Sequence, residues 1–294
     1  MHEKVLETIK IDSWDAPISK DLQQKAILAL EHGKALYFPS LSFDLHASEK
    51  QFLSSKQVDP KSKNISYNLL NDKLGGTISQ GEEAQQLKEM MKRYALGSRG
   101  FLRLLLPSYT PNITQARTSY RPVEVQGRAL SYRKDDTRLH VDAFPSAPTK
   151  GRRIMRVFTN INPDGKPRVW RLGEPFSDVV KKMAPRVNRP IPGFGYLLQL
   201  LRITKDYRTA YDHYMLHMHD AMKRDEDYQK NVSQEEVRFP PGSTWIVYSD
   251  QVSHAAMAGQ YMFEQTFHLP VCGLQDESTS PLRVLEKYFG RKLV

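Results

Sequence analysis

Cysteine is almost missing from this chain: Cys272 stands alone among 294 residues. One thiol cannot form an internal disulfide, so the fold must rest on its core, and nothing points to an oxidising compartment. Long apolar runs are missing too. The densest cluster, residues 101–106 (Phe-Leu-Arg-Leu-Leu-Leu), is broken by Arg103 and falls far short of the roughly 20 residues that a spanning helix needs. The first residues, Met1-His2-Glu3-Lys4, carry charge where a secretory leader would carry an apolar stretch. Internal repeats and low-complexity tracts are also lacking. Carboxylates are outnumbered, 33 against 43 Lys plus Arg, giving a net charge of +10. That excess favours an anionic partner (nucleic acid, an anionic membrane surface, or a phosphorylated or carboxylated substrate) without choosing among them. The chain is expected to be cytoplasmic, touching a membrane from outside if at all.

What is present has two textures. Residues 21–32 and 81–96 read as helices, and residues 35–39 as a short strand ended by proline. Residues 64–76, between them, are polar and read as a mobile loop. Past residue 117 come short β-rich runs at 129–132, 154–161, 168–172, 243–248 and 261–269, punctuated by Gly, Pro, Asn and Asp. Residues 194–227 look helical and inserted. The expected architecture is a double-stranded β-helix, or jelly roll, over 107–294, with a helical insertion near 176–230. A helical part, 1–106, packs on this core.

Within the β-rich part, Arg138-Leu139-His140-Val141-Asp142 places an imidazole and a carboxylate two residues apart. On a strand, such residues point to the same side. The best third ligand is His254, at a strand end before the turn Ala258-Gly259-Gln260. Two imidazoles and one carboxylate on one face leave open coordination positions, which suits Fe(II) with O₂ and a bidentate co-substrate. A rival cluster, Asp212 to Asp220, spaces His213 and His217 four apart on a helix, as zinc sites do. It lacks the glutamate of the metalloprotease motif, and a polar helix face with Met and Leu buried is the favoured reading.

The usual reductant for such an iron site is 2-oxoglutarate, whose distal carboxylate needs a cation in a dry pocket. Residues 259–266, just past His254, contain no Arg or Lys. The strand after His-x-Asp offers Arg156 instead, which shares a face with Ile154, Phe158 and Asn160. Arg171 and Arg153 are next in line. Tyr132, Asn160 and Gln265 are expected to help hold the co-substrate, and Arg138, Phe144, Arg153 and Trp170 to face the substrate.

Residues 140–146 (His-Val-Asp-Ala-Phe-Pro-Ser), 151–160, 167–176 and 250–256, with Gln260-Tyr261 and Glu264-Gln265-Thr266, closely resemble the Kdo hydroxylases. The resemblance covers about 107–271. It implies an Fe(II)/2-oxoglutarate/O₂-dependent dioxygenase of Gram-negative bacteria, which hydroxylates C3 of a 3-deoxy-D-manno-oct-2-ulosonic acid (Kdo) residue already attached to lipid A. The implied partners are that glycolipid and the cytoplasmic face of the inner membrane, not nucleic acid. Two segments, 99–106 and 194–208, carry cations beside apolar residues and are candidates for membrane contact. Two other readings stand beside this one: an iron oxygenase acting on another anionic substrate such as nucleic acid, and a β-helix protein that binds a glycolipid without catalysis.

Overall fold

The computed structural model describes residues 5–127 and 130–294. In chain order it contains β1 (Leu6–Thr8), α1 (Lys20–Glu31), β2 (Ala35–Phe38), β3 (Ile65–Asn68), β4 (Lys73–Gly75), α2 (Gly81–Leu105) and β5 (Thr114–Arg121). There follow β6 (Arg153–Asn160), β7 (Arg168–Leu172), α3 (Phe176–Met183), α4 (Phe194–Leu200), α5 (Ala210–Arg224) and α6 (Glu226–Asn231). The chain closes with β8 (Glu235–Phe239), β9 (Thr244–Tyr248), β10 (His254–Ala258), β11 (Met262–Leu269) and α7 (Pro281–Phe289).

Period-two alternation builds two facing sheets from these strands. The larger runs β1-β2-β9-β6-β11-β5-β3-β4 and the smaller β10-β7-β8. All pairings are antiparallel except β1 with β2. Between the sheets, Phe158, Trp170, Val237, Phe239, Trp245 and Val247 interlock in one apolar cluster. Phe239 stacks on Trp245 at 4.1 Å between ring centres, and Phe158 stacks on the same indole at 5.2 Å. The alternate residues of the same strands, Met155, Val157 and Ile246, face outward and pack under α1 and α2 with Leu30, Phe101 and Leu105. This is a jelly roll with the expected helical insertion, α3 to α6, between β7 and β8, but the large sheet also takes in β1 to β4 from the stretch 1–106 that reads as helical in sequence.

Several elements differ from the sequence expectation. The polar stretch 64–76 is a hairpin, because Ile65 and Tyr67 alternate into a core cluster and the Tyr67 hydroxyl donates to Asp72 at 2.8 Å. Helix α2 runs through Gly97 and Gly100 to Leu105: tertiary packing of Phe101 against Trp14 and Phe38 outweighs the weak helix propensity of glycine. Residues 101–106 are therefore mostly a buried helix end, not a membrane contact. Residues 130–132 form no strand and enter a turn, while Ala129 lies outside the described residues. Strands β5, β8 and β10 were not foreseen, being short or polar on their outward faces. The insertion is several helices, with 201–209 non-helical.

The outward face of β6 also explains Arg153. It is fully buried, pairs its Nε with Asp250 at 2.8 Å, donates Nη2 to Gln251 at 2.6 Å, and lies 3.8 Å over the Tyr248 ring. It braces the sheet and does not face the interior where a substrate would lie. Replacing it leaves Asp250 buried without its partner. Arg153→Met is expected to destabilise the fold by about 3–5 kcal/mol, read from denaturant unfolding with unchanged slope. A loss below about 1 kcal/mol would contradict this role.

Candidate active site

The two histidines of the candidate metal set are coupled through the backbone. His140 N donates to His254 O at 3.0 Å and His254 N donates to His140 O at 2.9 Å. This reciprocal pair sets the segment carrying His140 beside β10. Asp142, two residues on, is held by its own N–H to Ser249 O at 2.8 Å. One donor atom from each of His140, Asp142 and His254 then lies within 4.8 Å of the others, the single such group among the described residues. His254 opens β10 after the turn from β9, whereas the sequence had suggested a strand end.

The imidazoles are fixed in one tautomer. His140 Nδ1 lies 2.7 Å from Arg138 O, and His254 Nδ1 lies 2.8 Å from Val252 O. A carbonyl only accepts, so both Nδ1 atoms carry the proton and both Nε2 lone pairs are free for a metal. Trp170 stacks on His254 at 5.1 Å and fixes its ring plane. Burial pushes the pKa of both imidazoles down, so they are neutral donors at pH 7. For Asp142, burial pushes the pKa up, but the Arg156 guanidinium, helped by a hydrogen bond from Ser249, outweighs it and holds it below the usual carboxylate range. Two neutral imidazoles and one carboxylate, converging and otherwise open, fit Fe(II).

The expected co-substrate residues are not all brought together. Arg156 faces the interior, but its Nη2 pairs with Asp142 Oδ2 at 2.8 Å, its Nη1 pairs with Glu264, and its Nε donates to Ser249 Oγ. Arg171 sits on the outward side of β7, bonded to Met257 Sδ and Thr137 O. Asn160 ends β6, donating to Lys166 O and Phe239 O. Gln265 points to the outer face, where it bonds Thr118 and the irregular backbone of β5. Tyr132 lies in a turn beside Arg133. Of the expected substrate residues, Trp170 lines the interior. Phe144 stands near the rim, its ring 5.8 Å from the Arg156 guanidinium. Arg138 is bonded to Lys223 O and Glu226 at the surface.

A cavity of about 550 Å³ opens over the three donors. Its deep wall is apolar, with Phe158, Trp170, Ala256 and Met262, and contains the buried guanidinium of Arg168. Its outer part carries Lys63, Arg121, Arg133, Lys134 and Lys223 against Asp136, Asp220 and Glu264. His219 faces His140 edge-on at 5.3 Å and holds Asp220 at 3.0 Å. A larger cleft of about 740 Å³, near Glu31, Glu174 and Gln251, contains one histidine, His32, and no converging donor set. Chemistry, not size, selects the site. Arg168 and Glu264 were missed in the sequence, though both were marked: Arg168 shares a face with Trp170, and Glu264 shares one with Met262, diagonal to Arg156 across β6 and β11. The rival pair, His213 and His217, lies on α5, where His213 Nε2 meets Asn188 O at 2.9 Å.

A jelly roll with two imidazoles and a carboxylate converging at its interior defines a mononuclear non-haem Fe(II), 2-oxoglutarate-dependent dioxygenase. The sequence profile of the 3-deoxy-D-manno-oct-2-ulosonic acid (Kdo) hydroxylases matches residues 13–292, and the chain belongs to that family. A solved Kdo hydroxylase, KdoO, in complex with α-ketoglutarate and Fe(III), is 50% identical, with 99% of this chain and 97% of that one covered and a TM-score of 0.96. KdoO with cobalt(II) is 50% identical over 98% and 97% of the chains, TM-score 0.96. KdoO with succinate and Fe(III) is 49% identical over the same shares, TM-score 0.95. No curated protein matches.

Losing a group behind a metal ligand typically costs about 10–100-fold in affinity, and losing a ligand costs more. Cobalt(II) followed by its visible absorption is expected to bind the unmodified chain once and to bind His254→Ala more than about a hundredfold more weakly. The His213→Ala/His217→Ala double variant should titrate like the unmodified chain. Loss of the band in that double variant instead would place the metal on α5.

Proposed function

We propose that this enzyme hydroxylates C3 of a Kdo residue carried by lipid A, giving the 3-hydroxy sugar Ko, and that it works at the cytoplasmic face of the membrane that holds that glycolipid. The observation that carries the reading is the convergence of His140, Asp142 and His254 within 4.8 Å, in a chain that matches the Kdo hydroxylases over 13–292. The same intact donor set speaks against a glycolipid-binding protein without catalysis. No helix among the described residues is long and apolar enough to cross a membrane.

The chain's own residues divide the work. His140 and His254 present Nε2, and Asp142 presents its carboxylate, as three ligands to the metal. When bound, the iron with 2-oxoglutarate and O₂ supplies the oxidising power that converts a C–H bond to C–OH. Arg156 keeps Asp142 ionised and aimed. Arg168, on the interior side of β7 among apolar walls, is the anchor we assign to the distal carboxylate of 2-oxoglutarate. Arg156 lines the same cavity with its fork on Asp142 and Glu264, whereas Arg168, whose Nη1 donates to Gly259 O, reaches the cavity from the apolar side opposite those carboxylates. Lys63 and Arg133, toward solvent, give the acidic sugar and its phosphorylated carrier a cationic entry. Phe158, Trp170 and Met262 keep water from the reacting carbon.

Asp142→Ala is expected to abolish succinate release while leaving the fold intact. Arg168→Met is expected to raise the 2-oxoglutarate KM by about 30-fold or more, the cost of losing a buried charge-assisted pair, with cobalt binding unchanged. An unchanged KM would return the anchor to Arg156. The reading as a whole is tested by mass spectrometry of lipopolysaccharide from cells with and without the protein. A gain of one oxygen on Kdo is expected, and identical spectra would contradict it.

A further inference from the structure

The insertion exposes an apolar surface with no partner in the fold. Within 187–205, Ile191 is 70% exposed and Leu200 79%, and Phe194, Tyr196, Leu201 and Ile203 are exposed beside them. Soluble monomers seldom leave large apolar side chains contiguous in this way. The patch is held in place rather than frayed. Leu198 and Thr204 are buried beneath it, Tyr196 stacks on Tyr207 at 4.1 Å, and Gly195 lies so close to Arg208 O that a Cβ would sit 2.3 Å from it.

Charge says what covers it. The segment 187–205 contains Arg189, Arg202 and Lys205 and no carboxylate, and all three cations are exposed. The nearest carboxylate along the chain, Asp206, is paired with Lys150 at 2.5 Å. A protein partner would be expected to meet a mixed rim, whereas apolar side chains accompanied by three exposed cations match an anionic lipid surface. Position says why. Lys205 N donates to Ser146 O at 2.9 Å, and Arg208 Nη2 donates to Pro145 O at 2.5 Å. Pro145 lines the catalytic cavity, three residues past Asp142. The patch is thus tied to the rim of the site.

We infer that residues 189–205 are a membrane-docking surface, inserting the apolar side chains of α4 and its flanks into an anionic bilayer and holding the catalytic cavity over a lipid-anchored acceptor. The inference deepens the glycolipid reading and rests on it. The test is co-sedimentation with vesicles of phosphatidylcholine and phosphatidylglycerol in equal parts, against phosphatidylcholine alone. In parallel, succinate release is measured with Kdo–lipid A in those vesicles and with a deacylated, water-soluble Kdo acceptor.

The unmodified protein should sediment with the mixed vesicles, less so at high salt. Arg202→Glu/Lys205→Glu should weaken partitioning by roughly fivefold per cation, and Leu200→Glu/Leu201→Glu by at least about tenfold. Both variants should lose turnover of the vesicle-bound acceptor and keep that of the soluble one. Binding to neither vesicle overturns the inference. So does a patch whose Leu200→Glu/Leu201→Glu variant turns a dimer into a monomer with vesicle binding unchanged. A protein that sediments yet turns over neither acceptor supports docking and contradicts the hydroxylase reading.

Discussion

Arg156 lies between two carboxylates, the partly buried Asp142 and the buried Glu264, and the site depends on that arrangement. A carboxylate so far removed from water would be pushed toward protonation without a partner. Arg156 prevents this for Asp142, and Glu264 balances the second half of the guanidinium. Arg121 continues the chain, donating Nε to Glu264 at 2.9 Å and reaching Asp136 at 3.7 Å, which Lys63 closes at 2.5 Å. The charges alternate from Asp142 to the cavity mouth. A guanidinium suits this because its planar fork serves two carboxylates at fixed geometry, which a lysine cannot do.

The β-structure supplies the positions this network needs. Period-two alternation sends Arg156 and Phe158 inward and Met155 and Val157 outward on one strand, and does the same for Glu264 and Gln265 on another. The His140–His254 backbone pair then fixes two candidate ligands from segments over a hundred residues apart. The inward face thus holds the polar site at one end and the aromatic cluster around Trp245 at the other, while the helices cover the outward face.

Much of this was legible before any coordinates. His140 and Asp142 two apart, and His254 followed by a glycine turn, carry their own strand logic, and the β-rich texture past residue 117 pointed to the jelly roll. Local patterns did not reveal which face of each strand looks inward, since that depends on how the sheets pack. Arg153, Arg171 and Gln265 therefore read as site residues, though their sides of the strands face away. Arg168 went unnoticed although it shares the face of Trp170. Asn160 failed for another reason: it lies on the inward side, but at the strand end its amide caps a turn. The hairpin at 65–75 was hidden by its polar outer residues, and the end of α2 by glycines that tertiary packing overrode.

Three converging donors that hold iron would couple oxidation of 2-oxoglutarate to hydroxylation of Kdo. The most direct measurement supplies isotopically heavy O₂ to the purified enzyme with Fe(II), 2-oxoglutarate and a Kdo acceptor. One heavy oxygen should appear in the sugar and one in succinate, in equal amounts. Succinate labelled without any gain of oxygen on the sugar, or a hydroxyl drawn wholly from water, would contradict it.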